Sequence, residues 1–200
     1  MAFKRNVYRI IVVALAAFLG LSACRDTPTP KPRGYHRIDI PEAVYRAYDH
    51  PCGIHFDVPQ YSKIELIAQK KVAQDHWFNI SFPNFDAKIH CSYIPLQSES
   101  HFYGMLEDAH QMVFAHEMKA TGIAANGFHF PENNVSGLLY ELSGPVATPL
   151  QFLATDSIQH FLRGSVYFNN VPNPDSIAPT LKQVKKDLVQ VIETLKWGNS

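Results

Sequence analysis

The stretch "HWFNISFPNFDAKIHCSYI", His76 to Ile94, decides the fold class. Two short runs rich in aromatic and β-branched residues flank a Pro-containing connection, "FPNFDAK". Ile80 and Phe82 before it, and Ile89, Cys91 and Tyr93 after it, recur at every second position. That is strand periodicity. A connection this short joins antiparallel neighbours, because a parallel pair needs a long crossover.

Working outward, the same grammar continues. "GIHFDVP" and "SKIELIAQ" precede the stretch, and "FHFPE", "VSGLLYELSG", "TPLQFLATD" and "HFLRGSVYFN" follow it. Two segments break the pattern. From Ser98, Leu106, Ala109, Val113 and Ala120 recur at helical spacing, with Gly122 as the expected stop. Near the end, Ile177, Leu181, Val184, Leu188, Val191 and Leu195 form one apolar stripe, with Asp175 or Ser176 as cap and Pro179 in the first turn. No internal repeat is visible. Strands, one helix, strands, one helix predict an α+β fold: an antiparallel β-sheet flanked by helices. In element order it is similar to the Mog1/PsbP-like group.

A chain of 200 residues, 46% hydrophobic and 18% charged, suits one globular domain with appendages, placed at residues 35–200. Formal net charge is zero and no basic stripe is present, so nucleic acid is not expected as a partner: its binding has no electrostatic support.

The N-terminus points to the envelope. Lys4, Arg5 and Arg9 precede the apolar run Ile10 to Leu21, as in a secretory signal, and the run falls short of the ~20 residues that a membrane span needs. Leu21-Ser22-Ala23-Cys24 resembles a bacterial lipobox, which makes residues 1–23 a lipoprotein signal peptide and Cys24 the lipidated residue. More than one acyl chain gives stable anchoring, so the membrane is the first expected partner. Loss of three of the 18 basic residues with the signal leaves 15 against 18 acidic ones. Residues 24–34, with Pro28, Pro30 and Pro32, read as an extended tether. Arg25, in place of Asp after the Cys, leans toward the outer membrane, facing the periplasm.

Several residues invite chemistry. Cys52 and Cys91 can pair as a disulfide in an oxidising compartment, or remain free thiols on neighbouring strands. His50, Cys52 and His55, with His90 and Cys91, carry zinc-type donors but lack paired ligand spacing. His110 and Glu107 form a surface pair on the first helix. Asp156, Ser157 and His160, followed by Arg163, contain the parts of a hydrolase site. The chain has no Gly-x-Ser-x-Gly elbow, however, and the same residues read well as a capped connection between two strands. Asp156, His160 and Arg163 are kept as an interaction surface.

"PKPRGYHRIDIP", "HPCGIHFDVPQY", "WFNISFP", "QFLATDSIQHFLRGSVYFNNVPNPDSIAP" and the terminal helix ending at Trp197 together resemble the gliding motility-associated lipoprotein GldD family of Bacteroidetes. The resemblance runs from Pro30 to Trp197. It implies an envelope lipoprotein that serves gliding and the type IX secretion machinery, with other envelope proteins of those systems as partners. It brings no cofactor, no catalytic residue and no metal ligand. A non-enzymatic accessory or assembly role is therefore the leading expectation. A periplasmic module that binds a small ligand or cell-wall fragment in an aromatic-lined groove is the alternative.

Overall fold

A computed structural model describes residues 40–67, 76–169 and 174–198, all within one compact unit that spans His36–Ser200. The expected signal peptide, Cys24 and the expected tether lie outside the described residues, as do the side chains of Asp175 and Ser176.

Among the described residues nine strands form two antiparallel sheets. β1 (Tyr45–Asp49) and β2 (His55–Pro59) make a hairpin. The main sheet has seven strands: β3 (Lys63–Ile67), β4 (His76–Phe82), β5 (Ala87–Pro95), β6 (Gly122–Phe130), β7 (Val135–Ser143), β8 (Leu150–Thr155) and β9 (His160–Phe168). Their spatial order is β3-β4-β5-β9-β8-β7-β6. Helix α1 (Glu99–Phe114) lies in the excursion between β5 and β6, and α2 (Pro174–Glu193) closes the chain. The antiparallel α+β architecture is the one expected.

The opening stretch folds as its periodicity requires. β4 and β5 pair from His76↔Tyr93 to Phe82↔Ala87. Pro83–Phe85 form a single 3₁₀ turn, and Asp86 ends it in the left-handed region at φ 49°. Asp visits that region more readily than most residues because its short polar side chain can hydrogen-bond locally. The β6–β7 hairpin uses the same device: Pro131–Asn133 form the turn, and Asn134 closes it at φ 51°. Two equivalent Phe-Pro turns thus recur in a chain with no visible sequence repeat.

Successive residues of a strand face opposite sides of its sheet. On one side Phe78, Ile80, Phe82, Ile89, Cys91, Leu150, Phe152, Ala154, Leu162 and Val166 pack into one buried cluster with Val184, Leu188 and Val191 of α2 and with Phe56 and Val58 of β2. Gly164 makes this packing possible: a Cβ there would lie 2.3 Å from the Phe152 ring. Beyond α2 the chain is pinned to the hairpin, with His55 N–H donating to Lys196 C=O at 2.9 Å and Lys196 N–H returning to His55 C=O at 2.8 Å. On the other side a smaller cluster joins Ala109 and Val113 of α1 to Tyr140, Leu142, Leu153 and Phe161.

Three boundaries differ from expectation. β1 carried no assigned element; it forms because its partner β2 supplies the ladder. The first helix stops at Phe114, well before Gly122, because Thr121 N–H bonds to Ser143 C=O at 2.9 Å and residues 122–130 are recruited as the sheet's edge strand. The last helix begins at Pro174, so Pro179 lies inside it and not in its first turn.

Candidate functional site

The polar residues between β8 and β9 build a turn. The Asp156 carboxylate accepts from the backbone N–H groups of Ile158, Gln159 and His160 at 3.0, 2.9 and 2.8 Å. Thr155 Oγ1 accepts from Ser157 N–H at 2.8 Å and donates to His160 C=O at 2.6 Å. Ser157 takes the left-handed conformation at φ 66°. The His160 ring is committed elsewhere: its Nδ1 meets the Tyr93 hydroxyl at 2.8 Å, and its face stacks on Trp197 at 5.0 Å and 7°. Burial holds His160 below its ordinary range, with Asp156 opposing the shift.

Asp156, His160 and Arg163 therefore do not share one surface. His160 and Arg163 are three apart on a strand, so they point to opposite faces of the sheet. His160 joins the aromatic end of the main core, and Arg163 turns to the side of α1.

The His and Cys candidates also separate. His50 Nδ1 lies 2.8 Å from Cys52 Sγ and accepts from Cys52 N–H at 3.2 Å. His55 pairs instead with Asp49 at 2.6 Å. His90 and Cys91 point to opposite faces. Cys52 and Cys91 are both free thiols. Cys52 sits in the β1–β2 connection and not on a strand, turned to His50, whereas buried Cys91 is directed to Ile89 C=O. His50 and Cys52 resemble a nucleophile and its base, but their environments oppose that use. Burial, then His76, pushes His50 down to about 4, and burial pushes the Cys52 thiol up to about 11. Both groups stay neutral at pH 7, whereas a reactive cysteine needs a depressed pKa. Among the described residues no group of three or more His, Cys, Asp or Glu is arranged to hold a metal ion.

The concave feature that carries chemistry lies on the α1 side of the sheet. α1 covers only part of that face, and beside it opens a cleft of about 390 Å³. Its floor comes from neighbouring central strands: His90 and Ser92 of β5, Arg163 and Ser165 of β9, Gln151 of β8 and Tyr140 of β7. Registry aligns them in two rows. His90 faces Ser165, which faces Gln151, which faces Tyr140; Ser92 faces Arg163, which faces Leu153. Ala109, Met112 and Val113 of α1 form the apolar wall.

The floor is partly organised. Ser165 Oγ donates to Gln151 Oε1 at 3.4 Å, and Gln151 Nε2 donates to Thr148 Oγ1 at 2.8 Å. The His90 ring meets Tyr167 edge-on at 5.1 Å. His90 is held below its ordinary range by burial first and by Lys88 second. Arg163 is the exception: its Nη1 is buried with no hydrogen-bond partner, and no described residue pairs with its guanidinium.

Of the polar cleft residues, Arg163 and His90 stood among the sequence candidates, His90 only as a zinc-type donor. The signal for the others was present in the alternation. Lys88, His90 and Ser92 occupy one face of β5, and Arg163, Ser165 and Tyr167 one face of β9. Polar residues on the same side of two central, adjacent strands mark a face that its helix does not seal.

This geometry defines a layered α+β domain with one sealed sheet face and one open polar face. Among solved structures the chain is similar to the solution structure of cyanobacterial PsbP (CyanoP) from Synechocystis sp. PCC 6803, at 11% identity and a TM-score of 0.42, with 79% of this chain and 96% of that one covered. No curated protein matches in sequence. The family model described as gliding motility lipoprotein GldD matches residues 25–197. The chain belongs to that family, and membership makes it a lipid-anchored envelope lipoprotein with an accessory role in gliding motility.

Proposed function

We propose that this lipoprotein is a non-enzymatic assembly component of the apparatus that couples gliding to type IX secretion, anchored by Cys24 to the outer membrane and facing the periplasm. The observation that carries the reading is the family match over residues 25–197, which begins directly after Cys24 and takes in every strand and helix of the described domain. The division of labour along the sequence supports it: an acylated Cys holds the chain at the membrane, a Pro-rich tether sets it off the surface, and a folded domain presents its faces to other envelope proteins.

The reading is tested in a gliding host. Deletion of the gene stops colony spreading and removes type IX cargo from the culture supernatant. A Cys24→Ala chain restores neither and leaves the membrane fraction. Unchanged spreading and unchanged cargo export in the deletion strain would overturn it. A second reading, a periplasmic ligand-binding module, is favoured by one observation, the open cleft beside α1.

A further inference from the structure

The cleft combines one lasting positive charge with neutral hydrogen-bonding groups. Arg163 carries that charge, since a guanidinium does not deprotonate in proteins and offers five donors. Lys88, the nearest lysine along β5, is committed to Glu65 at 2.9 Å. His90 is neutral at pH 7, being held below its ordinary range. None of the described ion pairs involves Arg163. A partly buried cation with no counterion is costly to keep. A ligand that supplies the counterion removes that cost.

We propose that the cleft binds a ligand bearing one carboxylate on a short apolar body. The carboxylate sits on the Arg163 guanidinium, beside Ser92, the residue opposite it in register, and the apolar body lies against Ala109, Met112 and Val113 of α1. The planar guanidinium matches a carboxylate in a two-bond fork. A monoanion fits better than a phosphate dianion, because Arg163 is the single uncommitted cation on the floor. The volume, about 390 Å³, lies in the range of small-ligand sites. Such a carboxylate comes either from the C-terminal end of a peptide or from a free small acid. The proposal is independent of the assembly role: a host phenotype tests one, and binding to purified protein tests the other.

The test is calorimetric titration of the full-length lipoprotein in detergent with four probes. These are N-acetyl-leucine, its amide, an N-acetylated tetra-alanyl-leucine peptide with a free C-terminus, and the same peptide amidated. The expected result is saturable binding of the acids and at least about tenfold weaker binding of the amides, since loss of the charge-assisted fork removes the strongest contact. Tighter binding of the peptide acid than of N-acetyl-leucine identifies a chain terminus as the source; equal binding identifies a free acid. Arg163→Gln weakens the acids at least about tenfold with an unchanged far-UV spectrum. Met112→Glu, at a half-exposed helix position, places an internal carboxylate on the cleft wall and weakens them too; it decides the matter if Arg163→Gln fails to fold. The proposal is overturned if acid and amide bind alike, if neither acid binds at millimolar concentration, if inorganic phosphate competes as well as the acid, or if folded Arg163→Gln binds like wild type.

Discussion

The two faces of the seven-stranded sheet are made by the same strands and differ in almost every chemical respect. One is sealed by α2 and the β1–β2 hairpin, and its inward residues are aromatic and aliphatic. Even its buried carboxylate is fully engaged. Asp187 of α2 is completely buried and accepts from the Tyr45 hydroxyl at 2.9 Å, from Gln183 Nε2 at 3.0 Å and from the Tyr61 hydroxyl. That cluster ties the hairpin and the turn after it to the helix. The other face is covered only in part by α1 and keeps Lys88, His90, Ser92, Arg163 and Ser165 on its central strands, with a guanidinium that no described residue pairs. The contrast separates a face that holds the fold together from a face free to bind.

The largest expected effect breaks the sealed face. Phe82 is fully buried at the end of β4. Phe82→Ala removes its ring from the main cluster and costs ~3–5 kcal/mol, measured as the shift in urea denaturation free energy. A loss below ~1 kcal/mol, the scale of a surface change, would show that this cluster is not the principal core.

The next effect sharpens the role of Asp187 through pH. Burial raises its carboxyl above the ordinary 3.8, against hydrogen bonds from Tyr61, Tyr45 and Gln183 that lower it. A group whose folded pKa is raised contributes stability that is fully present below the unfolded value and is lost as pH rises through the folded value. Wild type should therefore lose stability relative to Asp187→Asn as pH rises from below 3.8 toward neutrality. Urea midpoints of both chains across that interval check it; a constant difference would show that Asp187 does not titrate differently on folding.

The smallest effect lies on the open face. Arg163→Met keeps an unbranched side chain in place of the arginine stem and removes a charge that no described residue pairs. It should leave stability unchanged or raise it by up to ~1 kcal/mol, as is common where a residue is kept for function. Thermal melts of the two chains measure it. A destabilisation above ~1 kcal/mol would make Arg163 a structural residue and would erase the contrast between the faces.

Much of the fold was legible because strand periodicity is local. The alternation around "FPNFDAK", the turn chemistry of Asp156 and the apolar stripe from Ile177 to Leu195 each need only neighbouring residues. What was not legible depended on partners far along the chain. β1 and the first half of β6 carry weak strand patterns and are strands because β2 and β7 supply their ladders. The cleft was legible only in Arg163 and His90, and there not as one site. Its polar floor comes from four different strands, and registry, which places Ser92 opposite Arg163 and Gln151 opposite Ser165, follows no local pattern.

The sequence by itself determined the family and the fold class: an antiparallel α+β domain of the gliding motility lipoprotein kind. Each of these rests on residue type and short-range spacing. Only the tertiary structure decided that His160 and Arg163 part company, one into the aromatic core and one into a cleft. It also decided that α1 stops at Phe114 and leaves part of the sheet uncovered. The physical reason is that a strand sends successive side chains to opposite faces, and what covers each face is settled by packing over long sequence separations.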